Sequence, residues 1–425
     1  MTVVAIEGPA GSGKTHRLMD ELGDALDRRP LADHERVIAL TFMHGSRRRL
    51  DARLRSIELL AGRFEAITLD SFAWHLTQRW QRLALHLGHK SPAEEAYEQT
   101  CELAAALLDR EAVRTWVSLS YPFVLVDEAQ DLSAERSAII AALAQSCTVL
   151  LAFDEFQCLN PALVPIAIEG WLHNYCEPIR LEGCRRTDVS ELIETAQAVR
   201  EGHAVNLKGN KFKVICTPGK PNFAATCLSN AIAWRRRGNV VVLTPSRRGG
   251  FADGIINLVR TKSLGKHGNG PYPIEWESSD EEDGAALWEK LAIGDGFTVE
   301  DVLGAMAPHR NEPAIRTMRE WVIRQRSLSG LQELTTERLR RQLGRALSVR
   351  RRYSNRRQQE FAAMTIHQAK NREFDHVIVL WPFTVPKNDE QRRRLFYNAI
   401  TRAHQSCTVL VQNDALLKAS PFVPR

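Results

Sequence analysis

The sequence predicts an α/β protein built as two doubly wound parallel-sheet lobes with helical insertions. Three observations carry that prediction. Short apolar runs rich in β-branched residues recur without alternation, as strands buried on both faces of a parallel sheet do. Helical periodicity fills the intervals between them, as at Leu18, Leu22 and Leu26. A second set of such strands then follows the first and is itself interrupted by one long stretch of different composition.

In chain order, the first set is "VVAI" (3–6), "VIALTF" (37–42), "AITL" (66–69), "FVLVDE" (123–128) and "TVLLAFD" (148–154). These define a first lobe over residues 1–183, interrupted by a smaller helical insertion at about 75–118. The second set is "FKVIC" (212–216), "NVVVLTPS" (239–246), "DHVIVLW" (375–381) and "CTVLVQ" (407–412), giving a second lobe from 184–260 and 361–425. Just before the last strand, "FYNAITRAH" (396–404) reads as a short helix carrying Thr401, Arg402 and Ala403. The interruption, 261–360, opens on the Gly/Pro-rich "SLGKHGNGPYP", passes the acidic "SSDEED" and becomes helical and basic. Between Arg310 and Arg357 there are 14 arginines against 4 glutamates, an excess of 14 − 4 = 10, with no lysine or aspartate. Such a stretch is either a solvated face or a contact for phosphates or an acidic protein. Arginine without lysine favours contact, because its planar fork matches phosphate and carboxylate.

The totals exclude several classes. With 425 residues, 44% hydrophobic and 25% charged, the chain has the composition of a multi-domain globular protein, and its net charge is only +6. "MTVVAIEGPAG" lacks the basic start and apolar core of a signal peptide, and no apolar run approaches the ~18 residues of a membrane span. The eight cysteines form no Cys-x-x-Cys pair, so they read as buried and reduced. A cytoplasmic protein without membrane partners is expected. No His-Glu-x-x-His or Gly-x-Ser-x-Gly is present, which argues against a zinc protease or a serine hydrolase.

"GPAGSGKT" follows the first strand and opens the first helix. Gly8, Ala10, Gly11, Ser12 and Gly13 form a loop whose N–H groups can wrap phosphate oxygens, Lys14 can reach the β- and γ-phosphates, and Thr15 can hold Mg²⁺. The helix N-terminus adds its dipole. "VLVDEAQD" brings Asp127 and Glu128 to the C-terminal end of a strand, where open α/β sheets place their ligands. Asp127 suits Mg²⁺ coordination, and Glu128 suits orienting or deprotonating the attacking water. Hydrolysis of ATP, with Mg²⁺, is the expected chemistry.

The spelling "VDEAQD" resembles motif II of the UvrD/Rep-like superfamily 1 helicases, and further motifs of that family occur in order. "LTFMHGSRRRL" (40–50) resembles motif Ia, "TLDSF" (68–72) motif Ib, "FDEFQCLN" (153–160) motif III, and "LEGCRRT" (181–187) motif IV. "TIHQAKNREF" (365–374) is similar to motif V and "RRLFYNAITRA" (393–403) to motif VI. The resemblance implies two RecA-like lobes, with Gln157 sensing the γ-phosphate, Glu373 at the nucleotide, and Arg186 and Arg402 reaching it from the second lobe. It also implies single-stranded nucleic acid contacts at Thr41, Phe42, Ser71, Thr365 and His367.

Departures from the family pattern carry their own expectations. No glutamine segment precedes the loop, and Arg185 stands where a base-stacking tyrosine is usual. Cys158 and Leu159 fall where the family has strand-stacking aromatics after the motif III glutamine, which predicts a weaker grip; Phe42 or Trp171 would compensate. Asn371 and Arg372 replace a Gly-Leu pair, and asparagine tolerates the left-handed turn. Two functions follow. One is an ATP-dependent translocase or helicase on single-stranded DNA, with RNA also open, moving 3′ to 5′ by resemblance. The other is a regulatory ATPase subunit in a larger assembly, for example an anti-phage defence complex with a nuclease partner.

Overall fold

The computed structural model describes residues 2–42, 44–89, 97–163, 172, 175–218, 220–235, 238–277, 280–294, 297–329, 334–353 and 361–424. Two compact units result, Met1–Tyr272 with Thr365–Arg425, and Pro273–Met364.

The larger unit begins with β1 (Thr2–Glu7), α1 (Lys14–Arg28), β2 (Val37–Thr41), α2 (His44–Arg55), β3 (Phe64–Thr68) and α3 (Leu69–Arg79). There follow α4 (Gln81–His86), α5 (Tyr97–Leu108), α6 (Glu111–Ser120), β4 (Phe123–Asp127), α7 (Ala134–Leu143), β5 (Thr148–Phe153) and β6 (Ile179–Arg180). The strands form one parallel sheet in the order β3-β2-β4-β5-β1-β6. Both faces are covered, which is why its central strands read as unbroken apolar runs. On one face α1 packs Leu18, Leu22 and Leu26 with Ile6, Ala39 and Leu125. On the other, α3, α5, α6 and α7 bring Leu76, Leu107, Val117 and Ile140 against Ile38 and Val124. The helical insertion expected near 75–118 therefore supplies a layer of this core. The strand read at "AITL" (66–69) runs Phe64–Thr68, starting two residues earlier and ending one residue earlier. The Thr68 hydroxyl accepts from the Ser71 N–H and caps α3, so Leu69 is already helical.

The second lobe contributes α8 (Ser190–Glu201), β7 (Phe212–Cys216), α9 (Pro221–Ala233), β8 (Val240–Thr244) and α10 (Phe251–Thr261). The loop after α10 stays with this unit. It closes on itself through Leu264 and Asn269 and ties to α9, where Ser229 donates to the Asn269 carbonyl and Asn269 donates to Asn230.

The smaller unit holds β9 (Glu275–Trp276), α11 (Asp280–Leu291), α12 (Val299–Met306), α13 (Pro313–Ser329) and α14 (Thr336–Tyr353), and β9 pairs in parallel with the following β10 (Phe361–Thr365). Its core is Leu287, Val302, Met306, Ile315, Met318, Leu339 and Leu343. Two of its arginines cover tryptophan faces, Arg338 on Trp321 at 5.3 Å and Arg340 on Trp288 at 5.1 Å. Arg316, Arg319 and Arg324 of α13 are exposed.

The chain returns to the larger unit with β11 (Phe374–Trp381), α15 (Asp389–Ile400), β12 (Ala403–Val411) and α16 (Asp414–Leu417). Within that unit the strand order is β7-β12-β11-β8, again parallel. Phe396 meets Trp381 at 5.3 Å and Phe422 at 5.1 Å, ring edge to ring face. The segment read as one short helix through Ala403 divides differently: α15 stops at Ile400, Thr401 and Arg402 form the turn, and Ala403 opens β12. The physical reason is parallel pairing, since the Phe374 N–H donates to the Arg402 carbonyl and draws the chain out of the helix. All eight cysteines are free. Among the described residues, no helix is long and apolar enough to cross a membrane.

Candidate active site

The loop from Gly8 to Gly13 joins β1 to α1, and two of its glycines are required by space. A Cβ on Gly8 would meet Ser12 Oγ at 2.6 Å and Leu181 at 3.0 Å. Gly11 has φ +79°, and a Cβ there would meet Arg186 Cβ and Cys184 Sγ at 2.8 Å. The loop is therefore in contact with the segment that opens the second lobe. Lys14 follows a left-handed Gly13 and donates to the Gly8 carbonyl at 2.8 Å and the Pro9 carbonyl at 3.0 Å. Burial holds its ammonium below the ordinary lysine value, against the opposing pull of Asp154, Glu128 and Asp127.

Thr15 donates to Asp127 Oδ2 at 3.3 Å, joining the loop to the end of β4. Burial first, and then Glu128, push Asp127 up to about 6. Glu128 itself lies in the left-handed region, φ 57° and ψ 42°, a strained setting for a residue with a side chain. Its carboxylate accepts from Gln130 Nε2 at 2.5 Å. A hydroxyl and a buried carboxylate beside a second carboxylate are hard oxygen donors whose repulsion a cation relieves. Thr15 and Asp127 thus fit Mg²⁺ held together with phosphate oxygens.

The second lobe faces this cluster. Arg186 Nε pairs with Glu373 at 2.9 Å, its Nη1 donates to the Thr401 carbonyl at 2.7 Å, and its carbonyl meets His404 Nδ1 at 2.9 Å. Burial raises the Glu373 carboxyl, but Arg186, His404 and Arg49 outweigh it and hold the group below the usual carboxylate range. Arg402 is 2% exposed. Its Nε donates to the Asn398 carbonyl at 3.0 Å, and burial and then Arg186 lower it to about 10, so it remains a cation at neutral pH. Asn371 adopts φ 64°, the left-handed turn its residue type allows. Gly11, Gly13, Lys14, Thr15, Asp127, Glu128, Gln157, Arg186, Glu373 and Arg402 line one cavity of about 320 Å³. Gly8, Ala10 and Ser12 of the same loop lie outside its lining.

A buried hub that the sequence reading missed joins these parts. Asp154, 0% exposed at the end of β5, accepts from Arg200 at 2.6 Å, Gln157 Nε2 at 2.9 Å and the Tyr397 hydroxyl at 3.3 Å, and lies 4.0 Å from Lys14. The Tyr397 oxygen in turn accepts the Ala10 N–H at 2.8 Å, so a phenol from the second lobe caps the phosphate loop of the first. Burial and Asp154 raise that phenol's pKa, which keeps it a neutral donor. Lys370 pairs with Asp131 at 2.5 Å, and both side chains are under 10% exposed. Asp131, Tyr397 and Lys370 stand inside the quoted motifs; Arg200 in "AQAVRE" carries no signal of its own.

The strand-contact candidates are held differently. Phe42 is 38% exposed beneath the Arg136 guanidinium at 5.4 Å, and Arg136 pairs with Asp70 at 2.7 Å. Ser71 shares a 2.7 Å bond with the Thr68 hydroxyl. Thr365 donates to Gln368 at 3.1 Å, and His367 is exposed. Thr41 is 1% exposed with its hydroxyl turned to the Ile67 carbonyl at 3.5 Å, beneath the surface that Phe42 presents. Cys158 and Leu159 are buried, and Trp171 lies outside the described residues.

No curated protein matches the chain in sequence. Among solved structures, the Arterivirus nonstructural protein 10 helicase is similar at 12% identity and a TM-score of 0.40, over 98% of this chain and 61% of that one. The same viral helicase in complex with DNA gives 13% identity and a TM-score of 0.38, over 99% and 63%. The chain spans less than two thirds of their length. Residues 360–410 match the UvrD-like helicase C-terminal domain, the stretch that holds Lys370, Glu373, Tyr397 and Arg402. The family likeness is therefore to the UvrD-like helicase C-terminal domain, over residues 360–410.

Proposed function

We propose that this chain is an ATP-driven translocase and helicase that moves 3′ to 5′ along single-stranded DNA. The observation that carries the reading is one cavity lined by Lys14, Asp127 and Glu128 from one lobe and Arg186, Glu373 and Arg402 from the other. The loop amides and Lys14 hold the β- and γ-phosphates. Thr15 and Asp127 would hold Mg²⁺, which would supply charge neutralisation for the phosphates. Glu128 orients water on the γ-phosphorus, with Gln157 beside it. As charge spreads over the γ-phosphoryl oxygens, Arg402 and Arg186 stabilise it from the opposite lobe. Nucleotide thereby favours the closed lobes, and phosphate release removes that preference, so turnover becomes movement. Phe42 and Ser71 on the first lobe, with Thr365 and His367 on the second, would grip the strand in alternation. Phosphates would be taken by hydroxyls and amides, and a base by the Phe42 ring.

The test is steady-state ATP hydrolysis with and without a single-stranded DNA oligonucleotide, with Lys14→Ala as control and tailed duplexes for direction. Stimulation by DNA that Lys14→Ala abolishes is expected. Hydrolysis indifferent to DNA would sink the motor reading. It would favour the second one, a regulatory ATPase awaiting a protein partner such as a nuclease. The buried Cys158 and Leu159 in place of exposed aromatics are the observation in that reading's favour.

A further inference from the structure

The second lobe carries a charge imbalance away from the nucleotide cavity. Residues 202–252 hold nine lysines and arginines and not one aspartate or glutamate. Within that stretch α9 has no charged residue of its own. Trp234, which follows it, is 71% exposed, the most of any large apolar side chain among the described residues. One exposed ring by itself means little. The cations around this one give it a use.

Strand alternation sets which way those cations point. Phe212 of β7 meets Phe396 of α15 at 6.2 Å, so it faces the side of the sheet that α15 covers. From α8 and α15, Arg200 and Tyr397 reach Asp154 and Ala10 of the first lobe. Lys213, the next residue of β7, points to the opposite face. There its Nζ lies 5.3 Å from the centre of the Trp234 ring. Thr408, level with Lys213 on β12, accepts from Arg235 Nη2 at 3.3 Å. Arg235 Nε is buried with no acceptor among the described residues. Burial, and then Arg235, hold the Lys213 ammonium below the ordinary lysine value, so the two cations crowd each other. Glu191, a carboxylate that reaches β7, is taken up by the N–H groups of Asn210, Lys211 and Phe212.

An anion with a flat face suits this patch. A polyanion relieves the repulsion between the cations, and an unpaired base can stack on the indole. A protein partner would ask for a continuous apolar surface, which is lacking. Cys227 is half-buried, and Thr226 and Asn230 are turned to Gly265 of the following loop. Phe223, the other exposed ring of this helix, is eleven residues away, about 16 Å along the axis.

We propose that Trp234, Lys213 and Arg235 form a second contact for single-stranded nucleic acid, separate from the strand surface at Phe42. An unpaired base stacks on the indole, and the flanking phosphates lie against the two cations. The site is independent of nucleotide turnover and rests on the reading above only in taking nucleic acid as its ligand.

The experiment is fluorescence anisotropy of a labelled oligothymidylate over a range of salt concentrations. It compares the full chain with Trp234→Ala, Trp234→Phe, Lys213→Gln and Phe42→Ala. Trp234→Ala is expected to weaken the oligonucleotide about tenfold, and Trp234→Phe much less, because either ring stacks. Lys213→Gln should reduce the salt slope by about 0.7, the loss of one phosphate contact. A fully paired duplex should bind Trp234→Ala as it binds the parent. Unchanged oligonucleotide affinity in Trp234→Ala, with its melting curve intact, overturns the proposal. Equal weakening on the duplex overturns it too, since no unpaired base is then being read. Binding of polyglutamate that Lys213→Gln abolishes and Trp234→Ala leaves alone assigns the patch to an acidic protein, and also overturns it. Oligonucleotide binding that survives Phe42→Ala, needs Trp234 and leaves hydrolysis unstimulated would support this site while sinking the motor reading. Stimulation of hydrolysis, with binding that needs Phe42 and ignores Trp234, would do the reverse.

Discussion

The nucleotide cleft and the candidate strand surface lie in the same unit, yet they are held by opposite kinds of bond. In the cleft, contacts span the chain: Ala10 to Tyr397, Arg186 to Thr401 and Lys370 to Asp131. On the strand surface they stay within one lobe: Thr68 with Ser71 and Thr365 with Gln368, each three residues apart, and Phe42 under Arg136, which pairs with Asp70. A site closed by long-range contacts exists only when both lobes are in register. A surface whose contacts stay within one lobe persists in either lobe alone, which is what the proposed movement would require.

The contrast can be broken most severely at Arg402. Its replacement by alanine should lower turnover at least about 10³-fold with nucleotide binding far less affected, measured as kcat against Kd. Retained turnover would remove Arg402 from the chemistry. Lys370→Ala leaves the Asp131 carboxylate buried and unpaired, and should cost about 3 kcal/mol by denaturant unfolding. Adding Asp131→Asn should restore part of that loss.

Asp127 sharpens the difference between fitness for chemistry and fitness for folding. Its folded pKa, about 6, lies above the ordinary carboxylate value. The contribution this group makes to stability is therefore present at about pH 4 and lost as pH rises through 6. Asp127→Asn should abolish hydrolysis yet melt at a higher temperature than the parent at pH 7.5 without Mg²⁺, and show no such gain at pH 4. Mg²⁺ affinity of the parent should weaken as pH drops through about 6, because the proton then competes with the cation for Asp127.

Phe42→Ala should weaken single-stranded DNA about tenfold by fluorescence anisotropy while leaving nucleotide affinity unchanged. The smallest effect on turnover is expected at Tyr397→Phe, which keeps the ring and loses the hydroxyl's bonds to the Ala10 N–H and to Asp154, about 1 kcal/mol each. It should slow turnover about fivefold. An unchanged kcat would make the hydroxyl structural only.

Fold class was legible because strands buried on both faces must be apolar throughout, and "VIALT", "FVLV" and "VVVLT" can do little else. The phosphate loop and the Asp127–Glu128 pair were legible for the same local reason: their chemistry needs those residue types adjacent in the chain. Arg200 and the hub at Asp154 were not, because a buried charge is explained only by a partner distant in sequence. The end of α15 was misjudged because pairing of Phe374 with Arg402, not helix propensity, stops it.

By itself, then, the sequence determined the two lobes, the loop that cradles phosphate and the order of the motifs, since each depends on neighbours within a few residues. Only the tertiary structure decided that Arg186, Glu373 and Arg402 share a cavity with Lys14, that Tyr397 caps Ala10, and that Thr41 lies below the surface while Phe42 stands on it. Those relations are set by how parallel sheets stack their strand ends, and no window of sequence contains both partners.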